Sequence, residues 1–399
     1  MAVRCPRRRK ARPSPRTRHR RRWTADVTPA SALLGVILVL APPIPFDEVA
    51  RKAAEARDKD QLDEAIRWYR EGTRLRPSWD EGLWYLATLL YEEDRLAEAR
   101  DAFRRFLVVK PETGPAWALL GMCEFRLKGY EAALTSLQKG TELGYGTNTA
   151  VQRAAWFHLA MLLVRAGQFE LAVRPLTFLA RSEPESEALV EAAGLMLLRV
   201  PKVPADITTD ERDLVTRAGR AAYAHLSRNG EEAQRRFKDL LERYPRAPNV
   251  HYAHAISLLT SDSDAALAEF RKEIEVQPES VFARLDLAFE LMRRGDFADA
   301  LVPAKEAVRL APQLFASHNA LGRALVETGS LEPGIVELET AVTLAPDSPE
   351  MHFALARAYA KAGRKDDAAR ARATFAELDR KRREKREDPL VETKSAGPG

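Results

Sequence analysis

His251 and His254, in the stretch HYAHAISLL, stand three residues apart, a spacing that can bring two imidazoles to one face of a helix. Such a pair is half of a catalytic zinc site, which also needs a third protein ligand and a general base, as in H-E-x-x-H. No Glu lies between these histidines and no third ligand stands out, so they read as ordinary helix positions. Ser136 and Lys139 spell the S-x-x-K of an acylating serine, but the companion S-D-N and K-T-G elements are missing and the segment has a helical pattern. The alternating acids of TSDSDAA, residues 260–266, lack the glycine and closing Glu of a calcium loop and read as a helix-capping turn. No P-loop and no G-x-G-x-x-G occurs, so nucleotide chemistry has no support. Cys5 and Cys123 are too few for a disulfide framework or a four-thiolate zinc site, and Cys123 reads as a small buried residue. The expectation is a non-enzymatic chain with no catalytic residue, metal or cofactor.

The elements that would carry any site are drawn from 399 residues, 45% of them apolar, enough for a substantial core. The charge is unevenly placed. Residues 1–45 hold ten Arg and one Lys against Asp26 alone, so +10 sits there and residues 46–399 carry −5. Arg7, Arg8, Arg9, Lys10, Arg20, Arg21 and Arg22 precede an apolar run at 30–41 (ASALLGVILVLA). Basic residues followed by a short apolar core is the order of a secretory signal peptide. The run is shorter than the ~20 residues a spanning helix needs. The basic stretch is long for a signal, and Pro42 follows the best small residue for cleavage. We read 1–45 as a basic leader plus short apolar segment, signal peptide or anchor, with a membrane tether through 30–45. This favours an extracytoplasmic place, periplasmic or envelope-associated; a wrongly assigned start site would leave the chain cytoplasmic. Nucleic acid is disfavoured as a partner, because the Arg run lacks the interleaved aromatics that stack on bases.

Behind the leader the sequence repeats. Pro77, Pro111, Pro184, Pro245, Pro278, Pro312 and Pro346 end similar segments, four of the intervals being 33 or 34 residues. Near place eight of each segment falls a small residue: Ala53, Ala87, Gly121, Ala160, Ala221, Ala255, Ala288, Gly322 and Ala356. A second follows near place twenty, from Ala65 and Ala99 through Gly334 to Ala368, and a large apolar residue comes four later, as in Tyr69, Phe103 and Phe270. Two helices cross closely only where small side chains meet, with bulky neighbours filling the grooves around them. Gly167, Gly295, Gly329 and Gly363 fall between the two helical patterns, where a helix end favours a left-handed residue. Ser78 and Asp347, just after boundary prolines, are placed to cap the next helix.

This pattern resembles the tetratricopeptide repeat (TPR). Its signature is nearly complete in Trp117, Leu120, Gly121, Ala133 and Leu137, with Tyr145 where proline is usual. Trp156, Leu159, Ala160, Gly167, Phe169, Ala172 and Pro184 repeat it. The resemblance covers about 46–382, with nine units starting near 46, 80, 114, 153, 214, 247, 281, 315 and 349. It implies an all-α fold, a right-handed superhelical solenoid of antiparallel helix pairs. The phase breaks near 200–213. Residues 185–199 read as a first helix without its partner, and Pro201 and Pro204 keep 200–213 from being that partner. The expected parts are the leader 1–45, an N-terminal array 46–199, a Pro-containing linker 200–213, a C-terminal array 214–382 with a charged capping helix, and a disordered tail 383–399.

The resemblance also implies that first-helix places 2, 5, 9 and 12 line a concave groove. In the early units these include Trp84, Tyr91, Met122, Phe125, Phe157 and Met161. The later units supply Phe282, Phe289, Met292 and Phe353, with Asn319, Arg323 and Arg357 nearby. Two readings stand: these side chains pack between helices, or they form an apolar, adaptable groove for a peptide or helix. Chaperone-binding TPR proteins clamp a C-terminal carboxylate with Lys and Asn at groove places; here those places are largely apolar. The asparagine ladder of sugar-transferase TPR arrays is also missing, the chain having only Asn148, Asn229, Asn249 and Asn319. The expected function is a protein–protein interaction scaffold that captures a peptide or helix, in an exported or cell-envelope context. The alternative is a cytosolic regulatory scaffold whose Arg-rich arm contacts nucleic acid.

Overall fold

The computed structural model describes residues 44–387. The leader and the tail beyond 387 lie outside the described residues. Contacts divide the chain into 1–44 and Pro45–Gly399, and the helical array is the second part. Its helices pair as hairpins: α1 (Phe46–Asp58) with α2 (Leu62–Leu75), α3 (Asp80–Glu92) with α4 (Leu96–Val109), and α5 (Gly114–Arg126) with α6 (Tyr130–Leu143). Next come α7 (Thr149–Arg165) with α8 (Phe169–Ser182), and then an extra helix, α9 (Glu187–Leu197). Beyond it α10 (Thr209–Leu226) pairs with α11 (Gly230–Arg243), α12 (Val250–Leu258) with α13 (Ser263–Val276), and α14 (Val281–Arg294) with α15 (Phe297–Leu310). The array ends with α16 (Phe315–Glu327) on α17 (Leu331–Leu344), and α18 (Pro349–Lys361) on α19 (Lys365–Glu387). No strand occurs among the described residues, and each hairpin packs on the next: an all-α solenoid.

The small residues are where the hairpins close. Ala53, Ala87, Ala160, Ala221, Ala255 and Ala288 are completely buried, as are Ala65, Ala99, Ala133, Ala172, Ala266 and Ala300 opposite them. Tyr69, Phe103, Leu137, Leu176, Phe237, Phe270 and Leu338 fill the grooves beside these crossings. Between the helices, Gly167, Gly295, Gly329 and Gly363 have positive φ, and Asp60, Asp94, Lys128 and Arg228 take the same left-handed place elsewhere. The helix starts differ by one residue from expectation: Trp79 and Ser348, not Ser78 and Asp347, occupy the cap positions of α3 and α18. A second device recurs at the unit boundaries. Trp117 donates its indole N–H to the Pro111 carbonyl (2.7 Å). His251, His318 and His352 place Nε2 at 3.1, 2.9 and 2.8 Å from the carbonyls of Pro245, Pro312 and Pro346. In each case a ring six residues on satisfies the carbonyl exposed by the turn.

The structure differs from the sequence reading around 200. Helix α9 has a partner: it packs face to face on α10, which also pairs with α11. The crossing is so close that a β-carbon on Gly194 would lie 2.1 Å from the Val215 carbonyl oxygen, and one on Gly219 1.9 Å from that of Val190. Helix α10 begins at Thr209, inside the expected linker, because Thr208 and Glu211 form a reciprocal capping box and Lys202 pairs with Glu211 at 2.6 Å. Only a short connection with one 3-10 turn, Pro204–Asp206, remains. One apolar cluster runs across it, joining Leu176 and Leu195 to Val215 and Phe237. The change of cluster falls later, inside α12: Val250 belongs to that core, Ala255 to the next. At the far end α19 continues to Glu387, past the expected boundary at 382. Ion pairs one turn apart, Lys381–Glu377, Arg383–Asp379 and Arg380–Glu384, favour the helix there.

Helix α12 is tied to α13 by polar contacts. His251 Nδ1 lies 2.5 Å from Glu269, whose other oxygen takes Lys272 at 2.7 Å. With Nε2 on a carbonyl and Nδ1 on a carboxylate, the imidazole bonds both acceptors only as a cation. Burial opposes its charge, but the Glu269 hydrogen bond, the Pro245 carbonyl and the nearby acids raise its pKa above the ordinary 6.5. Burial likewise opposes the Glu269 charge, and hydrogen bonds from His251, His254 and Lys272 hold that carboxyl far below the usual 4.5. The His251 contribution to stability is therefore complete below pH 6.5 and lost as pH climbs through the raised folded value. The Glu269 contribution is present above 4.5 and lost only in stronger acid. The urea midpoint should fall between pH 6 and pH 8.5, and the fall should shrink in His251→Asn; equal slopes in both proteins would refute the ion pair.

Candidate functional site

The groove residues expected from the sequence divide into two sets. Those of the early units are engaged by the chain itself. Trp84 packs on Phe103 and Phe106 of its partner helix, ring centres 6.2 and 5.4 Å apart. The Tyr91 hydroxyl reaches the Met122 sulfur at 4.0 Å, and Met122 and Met161 are buried. Phe125 sits edge-on to Tyr130 and His158, and Phe157 also meets His158. Cys123 is buried beside them, its thiol pushed up to about 12 by burial and by the Glu124 charge. Ser136 serves the fold: its hydroxyl donates to the buried Glu124 (2.7 Å), which Arg104 also pairs.

The later set comes together. Met292, Asn319, Arg323, Phe353 and Arg357 line one pocket of about 550 Å³, with Phe375 of α19 closing it. These side chains are carried by α14, α16 and α18, the first helices of three successive hairpins. Arg323 and Arg357 hold the same place in adjacent units, one repeat of 34 residues apart. Phe282, expected with them, lies elsewhere: the Arg199 guanidinium covers its ring at 4.2 Å.

The pocket has unmatched polar groups. Arg357 lies 3.5 Å from Glu327, a carboxylate that Lys361 holds more closely at 2.5 Å. Arg382 pairs with Glu350 and Asp379. Arg323 has no hydrogen-bond or ion-pair partner among the described residues and only leans over the Phe289 ring at 5.8 Å. The residue is exposed, yet desolvation by its surroundings, and then the Arg357 charge, push its pKa down from the ordinary value against the opposing charge of Glu327. Asn319, 7% exposed, has a buried side-chain oxygen with no partner. An anion between the two guanidiniums, a donor for Asn319 and an apolar group against Phe353 would satisfy all three. Sequence reasoning named these residues but took the groove as largely apolar; the spacing of 34 between the two arginines was the signal for their convergence.

Helix hairpins stacked in series, with pocket-lining residues on successive first helices, define a repeat scaffold. Residues 51–115, 86–144 and 319–373 match the tetratricopeptide repeat family model, so the chain carries tetratricopeptide repeats in these stretches. Its repeats make it a scaffold for protein interactions. Among curated proteins, none matches the chain. Similar solved structures include MamA from residue 41 onward of Desulfovibrio magneticus RS-1, 24% identical, covering 44% of this chain and 97% of its own, with a TM-score of 0.38. Another is YrrB, a TPR protein with an unusual peptide-binding site, 16% identical, covering 43% of this chain and 87% of its own, with a TM-score of 0.36. No described helix is long and apolar enough to cross a membrane.

Proposed function

We propose that the chain captures a segment of a partner protein in the pocket between α14, α16 and α18. The segment carries an acidic side chain next to an aromatic or aliphatic one. The observation that carries this reading is Arg323, a guanidinium with no hydrogen-bond or ion-pair partner among the described residues, beside the orphaned amide oxygen of Asn319. A carboxylate bridging Arg323 and Arg357 makes charge-assisted hydrogen bonds and relieves their mutual repulsion. Phe353, half exposed at 49%, supplies the apolar anchor. We place the capture in an exported or envelope-bound setting, on the support of the basic-then-apolar order of residues 1–45.

The test is a titration of the full chain with a peptide of phenylalanine flanked by Asp and Glu. Arg323→Glu should weaken binding at least tenfold, and added salt should weaken the wild type more than the variant. Equal affinity in both proteins, or a neutral peptide binding as well as the acidic one, would sink the reading. Sequencing the amino terminus of the protein from its native cell tests the address: a start near 42–46 supports export by cleavage, and an intact leader in the soluble cytosol contradicts it.

A further inference from the structure

A second pocket, separate from the first, lies where the extra helix joins the array. Helix α9 ends in a turn whose Arg199 has φ of 56°, left-handed for a residue with a side chain. Two bonds and two ring contacts fix that turn. The Asn249 side chain donates to the Leu198 carbonyl (3.0 Å), Arg199 pairs with Glu170 at the start of α8 (2.7 Å), and its guanidinium lies over the rings of Phe169 and Phe282. Between this turn and helices α8, α10 and α12 opens a pocket of about 190 Å³.

Its walls are mostly carbon, including Phe169, Met196, Leu226 and Ile256. The charges at its edge are spent: Arg199 and Glu170 neutralise each other, and the Tyr252 hydroxyl donates to Asp286 (2.8 Å). One polar group remains. His225 lines the pocket without a hydrogen-bond partner among the described residues, and burial keeps its ring below the ordinary pKa, hence neutral at pH 7. A neutral imidazole offers one donor and one acceptor. An apolar cavity of about 150 Å³ holds benzene, so this one has room for a ring with one substituent. A charged ligand would have to compete with the Arg199–Glu170 pair for a counter-ion while losing hydration.

We infer that this pocket binds a neutral aromatic ring bearing one hydrogen-bonding group, of phenol or indole type, with His225 as its polar contact. The ring is either a free small molecule or a tyrosine or tryptophan side chain of a partner. The site is independent of the Arg323 pocket, and its test does not depend on the peptide titration.

The full chain is titrated with indole, p-cresol, toluene and N-acetyltryptophanamide, followed by calorimetry or by NMR of the methionine methyls. Indole and p-cresol should bind saturably and several-fold tighter than toluene. His225→Leu should erase that preference while keeping toluene binding. Ala253→Phe, at a partly exposed position on the pocket wall, should weaken all ring ligands at least tenfold; Ile256→Trp serves if that variant is not folded. Arg323→Glu should change nothing here. Binding of N-acetyltryptophanamide as tight as indole assigns the ring to a partner side chain, and binding of indole alone assigns it to a free molecule. No saturable binding of indole or p-cresol, or wild-type affinity in a folded wall variant, overturns the proposal.

Discussion

Gly194→Ala and Gly219→Ala are each expected to cost at least about 3 kcal/mol of unfolding free energy, although alanine is the better helix former by about 1 kcal/mol. The methyl group has nowhere to go. At both positions it meets a carbonyl oxygen of the facing helix, inside 2.2 Å, and a backbone atom cannot rotate aside as a side chain can. The two helices must move apart, which opens the packing of Val190, Leu195, Val215 and Ala218, all nearly or wholly buried. Gly230→Ala, at the start of α11 with open space around it, is the control and should be neutral or slightly stabilising. Urea unfolding followed by circular dichroism decides the matter. Wild-type stability in either buried variant would mean that α9 and α10 do not cross as described.

Glu273→Leu should cost about 3 kcal/mol as well, for an electrostatic reason. Helix α12 starts at the left-handed Asn249, which provides no side-chain cap for its first turn. The cap arrives from the next helix: Glu273, wholly buried on α13, accepts the backbone N–H of Asn249 at 2.7 Å and that of Tyr252 at 3.1 Å. Hydrogen bonds to an ionised group contribute about 1.5–3 kcal/mol each, and removing the acceptor leaves two half-buried donors without their partner. The positive end of the helix also loses its anion. Glu273→Gln keeps one acceptor and should lose about half as much, while Glu275→Ala on the exposed face should stay within about 0.5 kcal/mol of wild type. A Glu273→Leu protein as stable as Glu275→Ala would remove the cap from the account.

The helix pairs were legible because their cause is periodic. Ala87 and Ala99, or Ala288 and Ala300, recur at fixed places since each marks a crossing, and a crossing tolerates little else. Helix α9 was visible in the sequence but its partner was not. Prolines 201 and 204 marked a turn correctly, yet the partner lay beyond it in α10, which already looked complete with α11. Glu269 escaped notice because it faces His251 from 18 residues away, on another helix. The same relation recurs between His318 and Glu337, 2.6 Å apart, so the pair of spacings was the available signal. Of the candidate groove, Arg323 and Arg357 were named by their places in the repeat. Arg199 and His225, which shape the second pocket, were missed because one lies in an irregular turn and the other looks like any exposed helix residue.

The passage of the core from Val250 to Ala255 has a thermal consequence. The helices adhere mainly through alkyl and aromatic surface, whose burial carries the heat-capacity change of folding. Within the α12–α13 hairpin, Glu269 and Glu273 and the donors they hold add a polar joint. Cooling weakens the first kind of joint and leaves the second, while alkali and mutation of one acid act chiefly on the second. A hairpin among near-identical units thus answers to pH as well as to temperature.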